Sequence, residues 1–391
     1  MPTDRRTLTG ALLFLMIGAI VFFHGLIPLR LPGGDSEIYL SSYGSPFARP
    51  RPVYHFREPG AVWMLQFAIA AVPARGGMTT VDRIREGFEH LSTWSGGLFV
   101  LLAAVFAIRL TPLPRGRLAA FLLACFGIHI MLFAGHIELY APLAVSLMLM
   151  FLVAHEVFRH NAHPGWLWAA WVLATTIHRV GLFYLPALYF LLPAGARLGP
   201  FRRPDRRFAK HACLAILALA LPHIAFTLGS ALPTRWFNPL AMETYNWMPE
   251  LLTPFTQAQA DFVRANSQLG SFHLFTFGTW DHWRHWFAFL LASAPALPIV
   301  LAFRWRRLAH LDDFQRFLAL AAACGWAWAF VWHPHRSFMD WDLFCHPGIA
   351  SNLFAATLLF GAASREAVSA PETAPTTPEP DPPCPPAPSE C

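Results

Sequence analysis

Charge is the scarcest commodity in this chain. Charged residues make up 13% of 391 positions and hydrophobic ones 55%, where a soluble domain carries roughly 25% charged residues. That shortage excludes an ordinary water-soluble domain. Lysine is almost missing: of 29 basic residues only Lys210 is a lysine. Together with the Arg, Ala and Pro bias, this matches a GC-rich bacterial coding preference and carries no functional signal. The six cysteines (Cys125, Cys213, Cys324, Cys345, Cys384, Cys391) form no CxxC and no metal-ligand spacing, which argues against a zinc module or a disulfide framework. No HExxH and no internal repeat occur. The net charge of +6 calls for no nucleic-acid partner, because positive-inside loops account for it.

Long apolar runs are abundant. Runs of about twenty residues recur, each sufficient at 1.5 Å per residue for a hydrocarbon core of roughly 30 Å. They predict an all-α polytopic integral membrane protein with about 10 transmembrane helices, at 8–29, 91–109, 117–134, 139–158, 165–178, 180–193, 211–230, 283–303, 314–332 and 343–362. The first run is too long for a secretory h-region and lacks an A-x-A site, so it reads as an uncleaved signal anchor. The segment 59–73 is short and bracketed by Pro, and reads as an interfacial helix in the first outer loop. Residues 79–90 read as a second surface helix, and 231–282 as an outer loop with short interfacial helices. The membrane domain is expected over 1–365. The Pro-rich remainder, 366–391, has almost nothing to bury and is expected to be a disordered cytoplasmic tail.

Basic residues orient the spans. With Arg5 and Arg6 inside and 59–73 not crossing, the inner side receives 17 basic residues, among them the cluster Arg197, Arg202, Arg203, Arg206, Arg207 and Lys210. The outer side receives 12, seven of them in 30–90. Both termini are therefore expected in the cytoplasm, across a bacterial inner or plasma membrane. His178-Arg179 interrupts 165–193, which reads as two short, distorted spans. A single crossing there would invert the basic cluster.

This topology gathers the unusual polar motifs on the outer face. Asp35 and Glu37 follow the first span, ahead of a run holding Arg49, Arg51, His55 and Arg57. GHIELY, with His136 and Glu138, joins the third span to the fourth. His178-Arg179 sits between the fifth and sixth. HPHRSFMDWD, with His333, His335, Arg336, Asp340 and Asp342, joins the ninth to the tenth. Ionisable groups held at membrane depth are costly and point to function. Each motif has a plainer reading too: solvated or helix-capping acids at 35 and 37, a polar helix turn at 136–138, snorkelling at 178–179, and Arg–Asp pairing within 333–342. His24, His129, His223 and His346 read as packing or interface residues.

Arginine presents a planar fork to phosphate oxygens, and histidine can donate to phosphate or exchange a proton near neutral pH. A carboxylate can take the proton of an attacking hydroxyl, while cations hold the charge left on a departing phosphate. Such a set suits a phosphorylated lipid donor. His, Asp and Glu are plentiful enough for a divalent cation, although no tight ligand spacing requires one.

The layout resembles the GT-C class of polytopic glycosyltransferases, which use polyprenyl-phosphate-linked sugars. The resemblance rests on Gly34-Asp35-Ser36-Glu37 after the first span, on Tyr54-His55-Phe56-Arg57-Glu58-Pro59 before an interfacial helix, and on the basic break in ATTIHRVGLFYLPAL. It covers most of the chain as layout. The acids here are D-x-E, unlike the adjacent pair of protein O-mannosyltransferases, and no large C-terminal soluble domain follows. The resemblance implies Asp35 as catalytic base with Glu37 assisting or ligating a metal. It implies Arg57, His178, Arg179, His335 and Arg336 at the donor phosphate, His55 at the donor phosphate or sugar, and His136, Glu138, Asp340 and Asp342 around the sugar or acceptor. The implied partners are a polyprenyl-phosphate sugar donor, a glycan, lipid or protein acceptor, and the bilayer. A transporter or flippase of a lipid-linked or anionic solute is the alternative, as is a polysaccharide polymerase or ligase.

Overall fold

A computed structural model describes residues 5–31, 40, 59–192, 197–198, 201–202, 204–228, 279–331 and 341–361. The regular secondary structure of the described residues is helical apart from a short antiparallel ribbon of two-residue strands, β1 (Arg197–Leu198) with β2 (Phe201–Arg202). In chain order the helices are α1 (Arg5–Gly25), α2 (Pro59–Ala71), α3 (Thr80–Leu110), α4 (Pro114–Cys125), α5 (Tyr140–His160), α6 (Gly165–Ile177) and α7 (Arg206–Leu228). They continue with α8 (Trp280–Ser293), α9 (Ala296–Arg304), α10 (Asp313–Val331), α11 (Trp341–Phe344) and α12 (Pro347–Phe360). Segments of 3-10 helix cover Ile128–Phe133 and Arg179–Leu191.

Five helical stretches are long and apolar enough to cross a membrane: α1, α3, α5, α10, and α11 with α12. A sixth is gained if α8 and the stretch Ala296–His310 count as one span bent by 80°. Several of the ten anticipated spans are therefore shorter or broken. The run 117–134 is not one helix. α4 stops at Cys125, Phe126 turns extended with φ −91° and ψ 97°, and the chain resumes as the 3-10 segment. The run 283–303 breaks at Ala294 and Pro295. The stretch 165–193 is indeed two short pieces, the 13-residue α6 and a 13-residue 3-10 segment containing Pro186.

The second surface helix anticipated at 79–90 is instead the first third of α3. A capping box starts it: Thr79 Oγ1 accepts from Asp82 N at 3.1 Å, and Asp82 Oδ2 accepts from Thr79 N at 3.1 Å. Nothing later interrupts the i to i−4 ladder, so 31 residues run on as one rod of about 46 Å. That exceeds a hydrocarbon core of roughly 30 Å, which leaves the charged first turns beyond the apolar part. Arg30 pairs there with Glu89 at 2.8 Å, and Arg75 with Glu86 at 3.0 Å. The 59–73 segment forms the 13-residue α2, seated on α3 where Gly87 leaves room for Ile69.

Close helix packing supplies the cohesion, since apolar contact with lipid gives no advantage to contact between helices. Gly96 of α3 admits the Phe23 ring, and Gly97 admits Ile20 and the Met16 carbonyl. The order of those contacts makes α1 and α3 antiparallel. At one end of the bundle arginines close the helix termini. Arg159 pairs with Asp312 at 2.9 Å and Arg202 with Asp313 at 2.8 Å. Arg307 Nη1 donates to the Leu358 carbonyl at 2.8 Å, and Arg202 Nη1 to those of Phe190 and Leu192. These carbonyls lie in the last turn of α12 and of the 3-10 segment, where intrahelical donors run out. Mid-bundle, Asn352 of α12 performs the same service for the two breaks. Its Nδ2 donates to Phe126 O at 2.6 Å and to Ser293 O at 3.1 Å.

Candidate functional site

The site forms at the end of the bundle away from those arginines, where α5 and α12 begin. The loop GHIELY enters it after a tight turn. Gly135 has φ +75°, and a Cβ there would stand 2.7 Å from Ile27 Cγ1, so glycine is required on both counts. Ser92 of α3 pins the loop from below. Its Oγ donates to Leu132 O at 2.7 Å and accepts from Gly135 N at 3.0 Å and His136 N at 3.1 Å. One buried hydroxyl thus satisfies three backbone groups that no helix could serve.

His136 Nε2 then meets Asp342 Oδ2 at 2.8 Å, across 206 positions of sequence. Asp342 is held in turn. Its Oδ1 accepts from Leu343 N at 2.8 Å, and its carbonyl accepts from Cys345 Sγ at 3.1 Å. The Trp341 ring lies 5.1 Å from the His136 ring, centroid to centroid. Glu138 completes the group: one ligand atom each from His136, Glu138 and Asp342 lies within 4.8 Å of the others. Their relative exposures are 1%, 3% and 2%, so two carboxylates and an imidazole share a place nearly closed to solvent. The set can hold a metal ion.

His178 approaches from the break between α6 and the 3-10 segment. Its Nδ1 accepts from Val180 N at 3.1 Å as an N-cap, so a neutral ring carries its proton on Nε2. Its ring is 5.1 Å from that of Tyr140, two residues beyond Glu138. Arg179 follows at the first position of the 3-10 segment, half-buried. His346, between α11 and α12, packs against Trp328 at 4.9 Å and Tyr184 at 6.2 Å, in keeping with a packing role.

Three of the four polar motifs singled out in the sequence therefore meet: GHIELY, the His178-Arg179 turn, and Asp342. Asp35, Glu37, His55, Arg57, His335, Arg336 and Asp340 lie outside the described residues. Ser92, Tyr140 and Trp341 join the site without having been singled out. A serine inside an apolar run carries no signal of the loop it holds, whereas Tyr140 belonged to a motif already noticed.

The far end of α5, about 30 Å away along 21 residues, carries a second histidine–carboxylate group of His155, Glu156 and His160. Its surroundings are cationic. Arg109 Nε stands 3.6 Å from Glu156 Oε1, and the Arg159 guanidinium sits over the neighbouring Phe314 ring. That group belongs to the arginine-closed end. Comparison with protein-family models, with curated proteins and with solved structures finds no match to this chain.

Proposed function

We propose that the chain is a membrane glycosyltransferase of the GT-C type, which moves a sugar from a polyprenyl-phosphate-linked donor to an acceptor at the face away from the arginine-closed end. The observation that supports it best is the 2.8 Å contact of His136 with Asp342, with Glu138 in reach. Residues far apart in sequence make one buried polar site at the mouth of an apolar bundle, where a lipid-borne head group would arrive. The arginine-rich end is the cytoplasmic one by the positive-inside rule, and ten passages of the chain, several of them short or broken, lie between the two faces.

In this reading Asp35 takes the proton of the acceptor hydroxyl as its oxygen attacks the anomeric carbon. The bond from that carbon to the phosphate oxygen breaks, and its electron pair leaves with the polyprenyl phosphate, inverting the centre. Arg57, His178, Arg179, His335 and Arg336 hold the departing phosphate, the arginines by paired N–H groups. His55, His136, Glu138, Asp340 and Asp342 shape the donor and acceptor site. The test is mass spectrometry of lipid-linked sugars and surface glycans in cells with and without the gene, and with Asp35→Asn. Loss of one glycan in both altered strains supports the reading, and an unaltered glycan profile in the Asp35→Asn strain removes it.

The helix breaks favour a second reading, a transporter or flippase, since broken helices at mid-membrane serve solute and ion paths. The 80° bend at residues 294–295 is the specific observation. Solute flux into vesicles that survives Asp342→Asn would favour it.

A further inference from the structure

We infer that His136, Glu138 and Asp342 form a divalent-cation site of the manganese class. The set is one imidazole and two carboxylates, all buried, with ligand atoms mutually within 4.8 Å. Ligands at adjacent corners of an octahedral ion with bonds of about 2.1 Å stand about 3.0 Å apart, and those at opposite corners about 4.2 Å. The 2.8 Å between His136 Nε2 and Asp342 Oδ2 is close to the shorter value. The nitrogen ligand favours a first-row transition ion over magnesium or calcium, and the carboxylates favour manganese within that row.

The supporting contacts are those a metal site uses. Asp342 turns Oδ2 toward the cluster because Oδ1 is engaged by Leu343 N. The backbone of His136 is fixed by Ser92, and Trp341 lies against its ring. Such outer contacts orient ligands before the ion arrives. Glu138, 3% exposed, brings a second carboxylate within reach of the same point, and one imidazole with two carboxylates is a donor set that a divalent cation takes. The His155 group has the same residue types but lies among Arg109 and Arg159, which oppose a cation. On the transferase reading above, this ion would meet the phosphate oxygens of the donor.

The experiment uses full-length protein in lipid nanodiscs, stripped with EDTA and titrated with Mn2+ while electron paramagnetic resonance follows the free ion. One saturable site per chain is expected, with nitrogen coupling from a histidine in the pulsed spectrum. Glu138→Gln and Asp342→Asn should each weaken binding by roughly 10–100-fold, and His155→Ala should leave it unchanged. No saturable Mn2+ site in the wild-type protein overturns the inference, as does wild-type affinity for Mn2+ in Glu138→Gln. The wild-type titration decides even where Asp342→Asn does not fold. Mn2+ binding without sugar transfer removes the transferase reading only. Sugar transfer by protein that binds no Mn2+ removes the cation site only.

Discussion

Ser92 Oγ sits 3.1 Å from the His136 backbone nitrogen, 44 positions along the chain, and through that contact α3 decides where the imidazole stands. Ser92→Ala leaves two N–H groups and the Leu132 carbonyl without their partner. Unsatisfied buried groups cost about 1–3 kcal/mol each, and relaxation of the loop should hold the total to roughly 2–4 kcal/mol. The expected outcome is a lower unfolding temperature in nanodiscs and, on the transferase reading, a loss of sugar transfer larger than the loss of folded protein.

Asn352 offers a test of the helix breaks. Replacing it with Leu keeps the volume but removes the donor shared by Phe126 O and Ser293 O. A destabilisation of roughly 2–4 kcal/mol follows from the two stranded carbonyls. It should appear in thermal unfolding monitored by size-exclusion chromatography. An unfolding temperature equal to wild type would mean that the breaks are held by something else.

The α1–α3 crossing depends on the absence of side chains at Gly96 and Gly97. A Cβ at Gly97 would come within 2.4 Å of Ile20 Cγ1 and 2.9 Å of the Met16 carbonyl. The side-chain contact can yield but the backbone one cannot, so Gly97→Leu should displace α1. A disulfide between engineered cysteines on the two helices, formed readily in the parent, should form poorly in the Gly97→Leu background.

Arg159 and Asp312 provide the control from the other end of the bundle. They pair at 2.9 Å with side chains 16% and 13% exposed. Arg159→Ala should cost about 1–3 kcal/mol while, on the transferase reading, sugar transfer per folded molecule stays at the wild-type level. A double-mutant cycle with Asp312→Ala isolates the pair. A specific effect of Arg159→Ala on transfer would mean that the two ends do not divide the work as described.

What the sequence revealed and what it hid follow from different physics. That His136, Glu138, His178 and Asp342 would be drawn to one end of the bundle was legible because an ionisable group between apolar runs has little freedom of depth. Loops fixed at one depth on one side have few places to go except together. The membrane character was legible for the same reason, since twenty apolar residues have one common use. The breaks at Phe126 and at residues 294–295 were not legible. Hydropathy sums composition over a window and says nothing of which carbonyl finds which donor, and here the donor is Asn352, 226 positions from Phe126. The continuity of α3 was missed through the opposite error. Its charged opening, with Asp82, Arg83, Arg85 and Glu86, ends the apolar window, but a helical ladder runs on wherever no residue stops it.

The most direct measurement of the central claim is the lipid-linked sugar and surface-glycan profile, by mass spectrometry, of cells carrying wild-type protein, Asp342→Asn or Arg159→Ala at matched membrane levels. The account predicts that Asp342→Asn abolishes one glycan product and accumulates its polyprenyl-phosphate donor, while Arg159→Ala matches wild type. A normal glycan profile in the Asp342→Asn strain would contradict it.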